Sequence, residues 1–212
     1  MTHGFDEDYW QRHWRERDGG SMSTAPANPY LARELGGLPP GTALDAGCGA
    51  GAEALWLAEA GWQVTAADIS AEALVRAAER AAGSPAAVRW VQADLGVWAP
   101  GTPFDLVTTH YAHPAMPQLE FYDRLAGWVA PGGTLLVVGH LHHAAPHGHG
   151  HGHGHGQQPP AEATATAAAV TARLDPAAWD VVTAEEPQRT VPGPGGSTRT
   201  LHDVVVRATR RG

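Results

Sequence analysis

The sequence predicts an α/β fold: one doubly wound domain on a seven-stranded, mostly parallel sheet that ends in an antiparallel hairpin. Three observations predict it. From Thr42 onward, short apolar runs alternate with helix-patterned stretches, the signature of βαβ units. A glycine-rich turn, Gly47-Cys48-Gly49-Ala50-Gly51, follows the first apolar run and opens the first helix. The last two apolar runs have no helix between them, so they close one edge as an antiparallel pair.

Thr42 to Ala46 is a short buried strand, and the helix after its glycine turn runs from about Ala50 to Ala60 with Gly61 as its stop. Trp62 to Asp68 is the second strand. Ser70 and Glu72 open the next helix, which the Gly83-Ser84-Pro85 break ends. Val88 to Val91 and Asp105 to Thr109 are strands three and four. Pro114 opens a helix to about Val129, with Leu119, Tyr122, Leu125 and Trp128 on one face. Pro131-Gly132-Gly133 turns into the most apolar strand, Thr134 to Val138. A helix from about Thr164 to Arg173 precedes the strands Asp180 to Thr183 and Leu201 to Val206, and Pro192 to Gly196 reads as their hairpin turn.

The 212 residues suffice for one medium domain that buries roughly 70% of its unfolded surface. The formal charge is -8, from 14 Arg, no Lys and 22 Asp plus Glu. Partial protonation of the 13 His brings it to about -5 at neutral pH. A nucleic-acid binder carries a basic footprint, so nucleic acid is not the expected partner. One Cys excludes an internal disulfide and a Cys-rich zinc site. No apolar run approaches the ~18 residues of a membrane helix, and the opening residues MTHGFDEDYW do not read as a leader. The expected location is the cytoplasm, with no membrane partner.

The chemistry centres on the glycine turn. Glycines there allow a tight bend and close approach of the backbone to a ligand. Asp45, two residues before the first glycine, would repel a pyrophosphate but suits a cation such as an α-amino group. Asp68 ends the second strand, where a carboxylate binds ribose hydroxyls. His110, Tyr111 and His113 follow strand four and His140 follows strand five, at the carboxyl edge of the sheet where ligands bind. His113 or His140 is the expected general base, and at least one of His110, Tyr111, His113 and His140 is expected on the acceptor pocket.

With Ala93-Asp94-Leu95, Phe104 to Thr108 and Pro131-Gly-Gly133, these landmarks resemble the class I S-adenosylmethionine-dependent methyltransferases, a Rossmann-like fold. The resemblance implies S-adenosylmethionine as cofactor. It gives Gly47, Gly49 and Gly51 the methionine part, Asp68 the ribose and Asp94 the adenine, which Ile69 and Leu95 would sandwich. Trp14 and His110 join these cofactor contacts. A finer likeness lies in Tyr9-Trp10, Trp14, Asn28-Pro29-Tyr30, Leu38 to Thr42 and Ala54 to Ala58. Their order is similar to the small tellurite-resistance and thiopurine S-methyltransferase-like group. It implies residues 1–34 as an aromatic lid arm, residues 35–212 as the methyltransferase domain, and a small thiol or other soft nucleophile as acceptor. O- or N-methylation of a small natural product is the second reading, and a metal-handling protein on the same scaffold a third.

Eight of the 13 His fall between His140 and His155, five of them in a strict His-Gly repeat from His147. Residues 140–158 are therefore expected to form a flexible insertion. A metal-buffering loop, a tolerated repeat expansion and a metal that assists a thiol substrate are the three readings of it. Imidazole at this density binds nickel, copper or zinc, but no fixed metal site is expected.

Overall fold

The computed structural model describes residues 4–16, 24–84, 86–141, 164–192 and 197–212. The His-Gly repeat lies outside the described residues, and His140 itself ends a strand. The strands are β1 (Thr42–Ala46), β2 (Gln63–Asp68), β3 (Val88–Gln92), β4 (Phe104–His110), β5 (Val129–His140), β6 (Trp179–Glu185), β7 (Gln188–Pro192) and β8 (Thr198–Arg210). They form one sheet in the order β3-β2-β1-β4-β5-β8-β6, with β7 also on β8. Strands β1 to β5 are mutually parallel, and β8 runs antiparallel to β5, β6 and β7. The strand order reverses at β1, so the crevice opens beyond the carboxyl ends of β1 and β4.

The expected seven strands become eight among the described residues. The missed one is β7, whose sequence Gln-Arg-Thr-Val-Pro ends in proline and reads as a loop. It pairs with the first part of β8, whereas β6 pairs with the last part. The segment Pro192 to Gly196 thus falls between β7 and β8 in the chain, not between the Asp180 strand and β8, and the expected turn itself, at residues 193–196, lies outside the described residues.

The helices are α1 (Glu7–Glu16), α2 (Pro29–Leu35), α3 (Ala52–Glu59), α4 (Ala71–Ala81), α5 (Gln118–Gly127) and α6 (Ala167–Thr171). Helix α5 starts four residues later than Pro114, because Pro117 keeps the residue before it out of the helical region and itself sits at the N-cap. Helix α6 is likewise shorter than the expected stretch, with Thr166 as a cap whose Oγ1 accepts from Ala169 N. Pro131 to Gly133 is not a turn between elements. It is a bulge inside β5, where the register against β4 shifts between Phe104 and Leu106.

Alternation along β4 and β5 builds a core on each face. Leu106, Leu136 and Val138 pack with Leu31 and Leu35 of α2 and Leu57 of α3. Val107, Leu135 and Val137 pack with Phe121 and Leu125 of α5. No described helix is long and apolar enough to cross a membrane.

Leu106 is fully buried in the central strand, whereas Val181 on the edge strand is about half exposed. Leu106→Ala is expected to remove about 3 kcal/mol of stability. Val181→Thr should change it by less than about 0.5 kcal/mol. Urea unfolding of the two variants checks both.

Candidate functional site

A cavity of about 720 Å³ lies at the carboxyl edge, between the glycine turn, the arm and the β7–β8 ribbon. It falls in the upper part of the ~300–1,000 Å³ range of small-molecule sites. One end is acidic. Glu53 of α3, Asp68 at the end of β2 and Asp94 after β3 all stand on its wall.

The glycine turn is held from below. Gly47 N and Cys48 N both donate to Ala67 O, at 2.8 and 3.0 Å, and Gly49 N donates to Asp68 Oδ2 at 2.8 Å. The other Asp68 oxygen accepts from Ser70 N at 2.9 Å. Gly47 has φ +80°, and a Cβ there would lie 2.3 Å from the Ala112 methyl. No other residue fits that position. Gly49 has φ +50° and the Trp14 ring sits over it.

Asp45 is almost wholly buried and its Oδ2 has no hydrogen-bond partner among the described residues. Burial pushes its carboxyl well above the usual range, and the nearby Glu53 and Asp68 charges push it further. Burial likewise raises Asp68, against the backbone N–H groups that favour its charged form. Such a cluster of acids is short of positive charge, and a cationic ligand would relieve it. Glu53 rather than Asp45 presents a carboxylate to the cavity.

The other end is built from rings. Phe5, Trp10, His113, His140 and Tyr111 follow one another along the wall, with His113 and His140 stacked at 5.7 Å and Tyr111 and His140 at 4.4 Å. Burial lowers the pKa of His110, of His113, and of His140 to about 4, so all three are neutral at pH 7. Gln118 fixes the tautomer of His113. Its Nε2 donates to Ala112 O at 3.0 Å, which turns Oε1 toward His113 Nδ1 at 3.4 Å. The proton then sits on Nδ1, and Nε2 is left as a bare acceptor. His110 Nε2 is buried with no partner among the described residues.

A buried carboxylate ties this end together. Asp203 of β8 is fully buried, accepts from Arg189 Nε at 2.6 Å and Tyr30 Oη at 3.2 Å through Oδ2, and from Tyr111 Oη at 2.9 Å through Oδ1. Asn28 Nδ2 and Arg189 also donate to the Tyr111 oxygen. Tyr111 holds φ +55°, which a non-glycine residue keeps only when its surroundings fix it. Helix α1 closes the roof. Trp10 Nε1 donates to His113 O, Gln11 accepts from Ser70 Oγ and Glu72 N, and Arg76 donates to Trp14 O.

Residues 43–133 match the family model of the methyltransferase domain. Over this stretch the chain carries a methyltransferase domain. An uncharacterised methyltransferase of Mycobacterium bovis is 43% identical over 105 residues, which are 48% of this chain and 52% of that one. The chain thus spans about half the length of the curated relatives it matches. Two solved structures share the fold. One was described for the conversion of a disulfide bond into a thioacetal group during echinomycin biosynthesis, at 22% identity and TM-score 0.69, covering 100% of this chain and 92% of that one. The other is the N-methyltransferase NodS of Bradyrhizobium japonicum in complex with S-adenosylhomocysteine, at 18% identity and TM-score 0.64, covering 95% and 97%.

Within the methyltransferase domain, the cavity wall brings together Gly47, Gly49, Asp68, Ile69, Asp94, Leu95, His110, Tyr111 and His113, and adds Trp14 and His140 from outside the matched stretch. Asp45 and Gly51 stand behind the turn and do not line the cavity. No group of three or more metal-ligating side chains occurs among the described residues. Sequence reasoning missed Glu53, Arg189, Arg199 and Asp203. The acid at the second position of α3 was a signal for Glu53. Arg189 and Asp203 had none, since β7 itself was not recognised.

Arg189→Met leaves the Asp203 charge buried without its ion pair, and is expected to remove about 3–5 kcal/mol of stability. Asp203→Asn in the same chain removes the charge and keeps an acceptor for a tyrosine. The double variant should recover more than half of the loss in urea unfolding.

His140 gives a pH signature. Its folded pKa, about 4, lies below the ordinary value near ~6.5. Its neutral burial therefore contributes fully above about pH 6.5 and is lost as pH falls toward 4, on the order of 3 kcal/mol. Unfolding curves of the wild type and His140→Asn, compared pH by pH, should differ with that sign. The acids that pull the other way are common to both chains and cancel.

Proposed function

We propose that this protein binds S-adenosylmethionine and methylates a small molecule. The observation that carries the reading is the acidic end of the cavity: Glu53, Asp68 and Asp94 on its wall by the glycine turn, with the buried carboxyl of Asp45 behind them. A ligand with an ammonium and a sulfonium fits that donor set, and Asp68 and Asp94 would hold its ribose and adenine, with Ile69 and Leu95 on the ring. When bound, the cofactor supplies a methyl group activated for in-line displacement. The family match and the S-adenosylhomocysteine bound to the NodS neighbour support the reading.

The protein's own part is to orient the acceptor, exclude water and take one proton. The arm supplies the cover, through Phe5, Trp10 and Trp14. His113 Nε2 is the base, since Gln118 holds the proton on the opposite nitrogen. His140, stacked on both His113 and Tyr111, keeps the ring wall in place and is the second nitrogen able to take the proton. Residues 1–34 act as a lid on this reading. The solved neighbours include sulfur and nitrogen chemistry, so the acceptor atom is taken as S, O or N rather than as sulfur alone. An imidazole base matters least for a thiol, which already ionises in part at neutral pH, and most for a hydroxyl.

Titration calorimetry with S-adenosylhomocysteine tests the cofactor. Binding should be seen with the wild type and weaken at least tenfold in Asp68→Asn. No binding by the wild type would sink the reading. His113→Ala should lower kcat/KM about 10²–10⁴-fold for a phenolic acceptor and far less for a thiol. The acidic limb of the wild-type pH profile should have its pKa below the ordinary histidine value, and should vanish in the variant.

A further inference from the structure

The β7–β8 ribbon turns one face to the cavity. Its register pairs Val191 with Arg199 and Arg189 with Leu201, directly across from each other. Residues two apart on a strand share a face, so Arg189, Val191, Arg199 and Leu201 lie together on one side. All four line the cavity. The next residue on that face of β8 is Asp203, whose carboxylate already holds Arg189 at 2.6 Å.

Arg199 has no such partner. Its side chain makes no hydrogen bond or ion pair among the described residues, and its charge reaches His140 on the ring wall. Two cations and one acid thus stand at this end, opposite the carboxylates at the glycine turn. The cavity has a negative pole and a positive pole, joined by a wall of stacked rings.

Resting on the reading of this cavity as a methyl-transfer site, we infer that the acceptor is a flat, acidic small molecule whose oxyanion is held by Arg199. The three parts of the wall each recognise one property of it. The glycine end takes the cationic cofactor. The rings of Trp10, His113, His140 and Tyr111 favour a planar skeleton, which stacks or meets them edge-on. The surplus guanidinium takes the oxyanion, for which its planar fork is suited. A neutral acceptor would leave that charge uncompensated beside the rings. A cationic one would be repelled.

Arg189 does not serve this purpose, because Asp203 neutralises it and its role is to hold the ribbon in place. Arg199 lies toward solvent at the mouth of the cavity, so its contribution is moderate and weakens with salt. Because its exposed side chain makes no hydrogen bond or ion pair among the described residues, its replacement is expected to leave the rest of the wall intact.

The test measures binding to the full chain loaded with S-adenosylhomocysteine, using matched acid and amide pairs: 4-hydroxybenzoate against 4-hydroxybenzamide, and 4-mercaptobenzoate against 4-mercaptobenzamide. Calorimetry should show each acid binding about tenfold more tightly than its amide. Arg199→Gln should abolish that preference while amide and S-adenosylhomocysteine affinities stay within about twofold. Arg199→Lys should restore part of the preference. Equal binding of acid and amide, binding of neither, or a preference that survives Arg199→Gln overturns the inference. If S-adenosylhomocysteine itself fails to bind the wild type, the cofactor reading falls first and this one with it.

Discussion

The buried carboxylate of Asp203 is the joint on which the acceptor side of the molecule depends. It is fully enclosed, and every group that satisfies it comes from a different part of the chain: Arg189 from β7, Tyr111 from the end of β4, Tyr30 from α2. A buried charge is tolerable only when paired and hydrogen-bonded. The four segments are therefore bound to one another by the same requirement. The consequences reach the backbone, since the contacts on the Tyr111 hydroxyl offset the left-handed conformation of that residue. They also reach the tyrosines, with burial and the Asp203 charge raising the phenol pKa of Tyr30 to about 12 and of Tyr111 higher still. Neither phenol ionises near neutral pH, so both donate to Asp203, and the Tyr111 oxygen also accepts from Asn28 and Arg189.

The glycine turn is organised in the opposite way. Its polar groups are satisfied mainly by the backbone, through Ala67 O beneath it and through the N–H groups that reach Asp68. What is left over is a crowd of acids that disfavour one another's charged forms. Asp45 is the extreme case, a carboxyl forced upward by burial with one oxygen unused. Glu53 shows how the arm is drawn into the same region, because its Oε1 accepts from Asn28 N at 3.0 Å. The two poles of the cavity are therefore coupled through Asn28, whose backbone meets Glu53 and whose side chain meets Tyr111.

The alternation of apolar runs and helical stretches made β1 to β5 and their intervening helices legible, as did the terminal pairing of the last strand. Proline placed the errors. Pro117 delayed α5 beyond the expected Pro114, and Pro192 hid β7 by making a pairing strand look like a loop. Within the site, legibility followed chain proximity to the glycine turn. Gly47, Asp68, Asp94 and the His110–His113 stretch sit next to strand ends that a pattern can locate. Asp203 sits inside an apolar strand, where a lone acid is silent until its partner from β7 is known. Arg199 is silent for the same reason: only the β7–β8 register decides which face it takes.

That difference has a structural cause. The stretch that matches the family model, residues 43–133, contains the turn, Asp68, Asp94 and the segment after β4. On the proposed reading those residues serve a ligand of fixed shape, and their positions follow from the parallel strands themselves. The arm, the end of β5 and the β7–β8 ribbon lie outside it, and they supply Trp10, Trp14, Asn28, Tyr30, His140, Arg189, Arg199 and Asp203. The arm is joined to the sheet by side-chain contacts, and the ribbon by the antiparallel pairing of β8 with β5. Placing the acceptor contacts there separates two demands on one cavity. On the proposed reading, the chemistry common to the fold stays on the strand ends, and recognition of the acceptor falls to segments held together by the Asp203 carboxylate.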